Sequence, residues 1–188
     1  MMKRIIGLFL VFLVMAFSSA LSEDTPAQPV EQPLFSEQAD MGALGIDGDH
    51  RFTRATLESI IASIESKETF LVFFGYHSCA WCRSIAPILH DVSQENQIEI
   101  RFVDIMDDAN RYKEDMLTLD AYLEGFTLNY QGRIGVNTPR VSAIKNGQEI
   151  AMHVGTFPEH DPYTQKLSTE QTQKLHSIFM EMVVALEN

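Results

Sequence analysis

Residues 70–87 read Phe-Leu-Val-Phe-Phe-Gly-Tyr-His-Ser-Cys-Ala-Trp-Cys-Arg-Ser-Ile-Ala-Pro, and Cys79 and Cys82 within them are the only cysteines of the chain. Phe70 to Phe74 is apolar at every position, the pattern of a central strand covered on both faces. Gly75 and a polar turn end it. Ile85, Ile88, Leu89 and Val92 then recur at helical spacing, so a strand hands two thiols to a helix N-terminus. Pro87 falls inside that helix, where its missing N–H and its ring predict a kink.

A thiol in the first turn of a helix faces unpaired backbone N–H groups and the positive end of the helix dipole. Both favour thiolate, and such sites bring a cysteine pKa from about 8.5 to about 3.5–7.5. Cys79 is therefore the candidate nucleophile, and Cys82, one turn further in, the candidate resolving thiol. His77 and Arg83 are close enough in sequence to assist if their side chains turn toward the sulfur; otherwise they are solvated surface groups. Two other uses of the pair stand beside this one. A structural zinc needs four N/S ligands, and the six histidines show no His-x-His or similar spacing to complete such a set. A purely structural disulfide across one helical turn constrains little, because stabilisation grows with loop length.

Working outward, Leu57, Ile60, Ile61 and Ile64 share one face of a helix from about Thr53 to Ser66. Met41 to Arg51, with three glycines, has room for one short edge strand, and Asp47-Gly-Asp49-His50 reads as a solvated turn lacking the other ligands of a calcium loop. Downstream, Ile98 to Ile105 alternates as a strand does. Asp107 and Asp108 suit the start of a helix over Asn110 to Glu124 carrying Met116, Leu117, Leu119 and Tyr122. Gly125 to Asn137 reads as loop. Arg140 to Lys145 and Glu149 to Val154 are strands joined by Asn146-Gly147, a strong hairpin signal. Phe157 to Leu167, with Pro158 and Pro162, reads as loop. Ser168 and Gln171 offer a capping box for a last helix with Leu175, Ile178, Phe179, Met182, Val183 and Leu186 on its core face.

With 188 residues, a hydrophobic fraction of 45% and 12 phenylalanines, the chain has material for one well-cored domain with extensions. Its formal net charge of -12 repels phosphate backbones and argues against nucleic acid as a partner. At the N-terminus, Lys3 and Arg4 precede an apolar core from Ile5 to Phe17 and then Ser18-Ser19-Ala20, the layout of a secretory signal. That core is short of the roughly 20 residues that span a bilayer, although an uncleaved segment would still tether the chain to a membrane. The expected organisation is a signal at 1–20, a Pro-, Gln- and Glu-rich flexible tether and lead-in at 21–50, and a domain at 51–188. Export places the protein in the cell envelope or outside it, where a cysteine pair is free to cycle through a disulfide.

Taken together, these residues resemble the thioredoxin superfamily, over roughly Thr53 to the C-terminus. Cys79-Ala-Trp-Cys82 after a strand, Pro87 five residues beyond the second cysteine, and Thr138-Pro139 followed by a strand, Lys145-Asn146-Gly147, a second strand and Val154-Gly155 carry the resemblance. It implies an α/β thioredoxin-like fold, a central mixed sheet of four or five strands flanked by helices, with extra residues inserted between 107 and 137. It further implies a cis Thr138-Pro139 bond beside the cysteines, and substrate contacts from Trp81, Thr138 and Pro139. The activity implied is thiol–disulfide exchange on protein or peptide partners, renewed by a separate redox partner, with no cofactor or metal beyond the Cys79–Cys82 pair. A thioredoxin-like binding module, serving peptide export or metal delivery with an incidental cysteine pair, is the alternative. The sequence also departs from cytoplasmic thioredoxins. Ser78 replaces the Trp before the first cysteine, Ala80-Trp81 replaces Gly-Pro between the two, and Leu71-Val72-Phe73-Phe74 lacks the buried Asp that moves the resolving thiol's proton.

Overall fold

The computed structural model describes residues 37–110 and 113–188, all within one compact unit; the expected signal and most of the expected tether fall outside them. Five strands, β1 (Phe52–Arg54), β2 (Phe70–Gly75), β3 (Ile100–Asp104), β6 (Arg140–Lys145) and β7 (Gln148–Val154), form one sheet in the order β1-β3-β2-β6-β7. The first three run parallel, while β6 is antiparallel to both β2 and β7. This is the mixed, helix-flanked sheet of a thioredoxin-like fold.

Helices cover both faces. Every residue of β2 is buried, and alternate side chains go to opposite layers. Leu71 and Phe73 join the core under α2 (Ala80–Asn96) and α4 (Thr169–Glu187). Phe70, Val72 and Phe74 join the core under α1 (Leu57–Glu65) and α3 (Lys113–Tyr122). That division is why an unbroken apolar run can be a strand: it has no solvent face.

Several boundaries differ from the sequence reading, each for a local reason. Helix α1 begins at Leu57 instead of Thr53, because Thr53 is taken by β1 opposite Arg101 and Thr56 forms a capping box with Ser59. The edge strand is thus Phe52–Arg54, just after the segment expected to hold it. Residues 39–46 are part of the core, with Ala39, Met41, Leu44 and Ile46 buried and Ala39 N–H donating to the Phe52 carbonyl at 3.0 Å. In α3, Leu119 is buried, but Leu117 and Tyr122 are exposed and Leu123 takes the next core position. Gly125 to Asn137 is not a loop. It folds as a hairpin of β4 (Thr127–Tyr130) and β5 (Arg133–Val136), turning through Gln131 and Gly132 at φ 52° and 80°. Two successive positive φ values define the tight hairpin turn, but Gln-Gly is a weaker signal than Asn-Gly and the strands are short and largely exposed.

The Asn146-Gly147 hairpin and the Ser168/Gln171 capping box are as expected. On β7, His153 lies edge-on to Phe179 of α4 at 5.6 Å, and its Nε2 is buried without a hydrogen-bond partner among the described residues. Burial lowers its pKa from the ordinary 6.5, because the charged ring would lose its hydration. With the folded pKa below the unfolded one, the unfolded chain binds the extra proton first. This group's stabilisation is therefore complete above pH 6.5 and is lost as pH falls through 6.5 toward the lowered value. The urea midpoint of His153→Phe is expected to fall less than that of wild type between pH 7.5 and pH 5; an equal fall would reject this role for His153.

Candidate functional site

Cys79 is the N-cap of α2, with extended backbone at φ -76° and ψ 113°, and its Sγ accepts the Cys82 N–H at 3.0 Å. Its own N–H donates to the Tyr76 carbonyl and its carbonyl accepts from Arg83 N–H, so backbone bonds fix the turn on both sides. The two cysteines are joined as a disulfide with Cα atoms 5.1 Å apart. Both sulfurs are buried, Cys79 with 3% exposure and Cys82 with none. Behind Cys82 lies Gly75, where an added Cβ would stand 3.1 Å from both the Cys82 sulfur and the Phe73 ring. The Cys82 sulfur therefore sits on a packed apolar floor.

Thr138-Pro139 is cis. Pro139 is buried and its carbonyl accepts from Gly155 N–H at 2.8 Å, tying the start of β6 to the end of β7. Thr138 is half-buried and lines, with Trp81, Asn137, Thr156, Phe157 and His160, an open groove of about 540 Å³. Trp81 meets Tyr163 edge-on at 5.4 Å and 87°. The candidate substrate contacts Trp81 and Thr138 thus share one groove.

The two residues considered for tuning Cys79 have different surroundings. His77 Nδ1 lies 2.8 Å from Asp104 Oδ2, and its Nε2 lies 2.8 Å from the Asp40 carbonyl. Both ring nitrogens are thereby engaged by the end of β3 and the N-terminal lead-in. Arg83 is exposed and lines a second groove on the outer side of α2.

Three further features gave no readable signal in the sequence. Arg140, directly after Pro139, is fully buried; it donates from Nε to Ser142 Oγ, from Nη1 to the Glu124 carbonyl and from Nη2 to Glu149. Glu149 also accepts from Glu124 N–H, so the network joins the turn between α3 and β4 to the cis-proline strand. Tyr163 and the buried His160 organise the Phe157–Leu167 loop over Trp81. Nothing local in Phe157 to Leu167 distinguishes such a loop from an ordinary connection. The Arg140 position could have been singled out only by asking what a charge does at the head of a buried strand.

A cysteine pair capping a helix at the end of a central parallel strand, opposite a cis proline, defines a thioredoxin-superfamily module of the thiol–disulfide oxidoreductase type. The chain belongs to the family described as TraF, F plasmid transfer operon protein, whose model matches residues 18–156. Among solved structures, it is 16% identical to thioredoxin O2 from Arabidopsis thaliana in the oxidized state, over 61% of this chain and 88% of that one, with a TM-score of 0.41. Chloroplastic thioredoxin z is 17% identical over 75% of this chain and 98% of that one, with a TM-score of 0.43. Fasciola hepatica thioredoxin is 23% identical over 54% and 83%, with a TM-score of 0.37.

Proposed function

We propose that the protein is an extracytoplasmic thiol–disulfide oxidoreductase working through a mixed disulfide. The observation that carries this reading is the placement of Cys79 as cap of α2, ahead of a fully buried Cys82, with Trp81 and Thr138 lining one groove. In the reducing direction, the Cys79 thiolate attacks a substrate disulfide, forming one S–S bond and releasing one substrate thiolate. Cys82 gives up its proton and attacks the Cys79 sulfur, which releases the second substrate thiolate and leaves Cys79–Cys82 oxidised. The substrate gains two electrons and the pair loses two. Oxidation of a substrate is the same sequence reversed.

The helix start and the Cys82 N–H favour the Cys79 thiolate, and the exposed Arg83 adds a positive charge one turn in. His77, pinned by Asp104 and Asp40, fixes the turn before Cys79. The Thr138 backbone and the Trp81 ring receive the substrate chain. The signal-like N-terminus supports an envelope location, and the family description directs the search for substrates to proteins encoded with a plasmid transfer operon.

Cys82→Ser, purified from cells producing the natural partners, is expected to carry mixed disulfides that dithiothreitol releases, and Cys79→Ser is expected to carry none. Equal, empty preparations of both, together with unchanged biological function when both cysteines are serine, would sink the proposal. The equilibrium potential against glutathione then assigns direction: a value near about -270 mV marks a reductant and one near about -120 mV an oxidant.

A further inference from the structure

A second groove of about 480 Å³ lies between α2 and the Phe157–Leu167 loop, lined by the Tyr163 that meets Trp81 edge-on. Among the described residues, Arg83 and Lys166 are the only charged ones lining it, and no carboxylate does. Both are exposed, and neither is in an ion pair with a described residue. In a chain of net charge -12, this lining carries two cations and, among the described residues, no carboxylate, although Lys166 also borders an adjoining groove with Glu159 and Glu170. The lining also includes Ala80, the first residue of α2, whose helix dipole adds to the positive potential. Pro87, Pro162 and Tyr163 supply an apolar wall against which the stem of a long side chain can lie.

The loop is built to hold these groups in place. His160 is buried, with Nδ1 2.8 Å from Thr156 Oγ1 and Nε2 3.2 Å from the Gln165 carbonyl. Asp161 accepts the Tyr163 N–H through its carboxylate, and the Thr164 and Gln165 N–H groups through its carbonyl. Tyr163 and Lys166 are thus carried on a turn tied at several points.

We propose that this groove is a second subsite that takes acidic side chains of the polypeptide engaged at Cys79. The proposal rests on the oxidoreductase reading above and names the chemistry of its substrate. A segment lying along Thr138 and Trp81 reaches the edge of the aromatic pair, and its continuation past Tyr163 meets Arg83 and Lys166. Two cations set in a strongly acidic surface attract one or two carboxylates at short range. A polyanion such as nucleic acid would meet the opposing field of the rest of the molecule.

The test needs no electron transfer. Two redox-inert peptides, with serine in place of the reactive cysteine, differ only in carrying two glutamates or two lysines beside it. Each is titrated into full-length protein while the emission of Trp81, the chain's single tryptophan, reports binding. The glutamate peptide is expected to bind about fivefold more tightly at low salt, with the gap closing as salt is raised. Lys166→Gln is expected to shrink the gap and Lys166→Glu to reverse it. Equal affinities, a preference untouched by Lys166→Glu, or no binding of either peptide would overturn the subsite. Because these peptides cannot exchange disulfides, an empty Cys82→Ser trap and an absent charge preference are separate failures.

Discussion

Arg140→Ala is expected to destabilise the domain by about 3–5 kcal/mol, the cost of stripping one member from a buried ion pair. Arg140 is fully buried and Glu149 nearly so, with Nη2 2.8 Å from Oε1. Removing the guanidinium leaves that carboxylate with only the Glu124 N–H among the partners described for it. It also strands the Glu124 carbonyl and Ser142 Oγ. Replacing both charges by apolar residues of similar volume, Arg140→Met with Glu149→Leu, is expected to recover most of the loss, since an ion pair in the interior gains little over good apolar packing. Urea unfolding of wild type, the single variant and the double variant measures this. A single variant no less stable than the double would show that the pair is not electrostatically closed. Because Arg140 Nη1 holds the Glu124 carbonyl just ahead of β4, the single variant should also become more susceptible to proteolysis in the β4–β5 hairpin.

Gly147→Ala is expected to cost about 2–4 kcal/mol, combining a left-handed backbone with overpacking. Gly147 has φ 73°, and a Cβ there would meet the Ile64 carbonyl oxygen and lie 3.2 Å from Lys67 Cα. Both neighbours are backbone, so no side chain can swing aside. Gly147 N–H also donates to the Glu68 carbonyl at 3.0 Å, docking the β6–β7 turn onto the end of α1. Relief of the clash therefore breaks that hydrogen bond. Gly132→Ala is the control: it has the same sign of φ, at 80°, but nothing within 4 Å of the added atom. Its loss of stability in thermal unfolding should be distinctly smaller. If the two variants unfold together, backbone conformation alone accounts for both and the close approach carries no weight.

The elements that could be read from the sequence are those whose local and long-range demands agree. Phe70–Phe74 is apolar because both faces of β2 are covered, and Asn146-Gly147 takes the positive φ values its turn requires. Cys79 and Ser168 cap their helices, as their side chains suit them to do. The reading fails where the deciding partner is distant in the chain. Thr53 is in a strand because Arg101 of β3 lies opposite it. The β4–β5 hairpin is decided by packing of Phe126 and Val136 into the core beside Phe74, which no short-range pattern announces. Within the site, the cysteines and Thr138-Pro139 are legible as motif. The Trp81–Tyr163 contact and the Arg140 network depend on segments that meet only after folding.

The floor beneath Cys82 also bears on how this redox pair can be altered by design. Gly75 and the Phe73 ring leave no volume in which to place a polar or charged side chain at the sheet end, so substitution from within should disturb packing before it adjusts the chemistry. The adjustable positions are on the outer rim: Trp81 between the sulfurs, Thr138 across the groove, and the loop that carries Tyr163. A library directed at those three places would explore the accessible range of potentials and substrates while leaving the sheet intact.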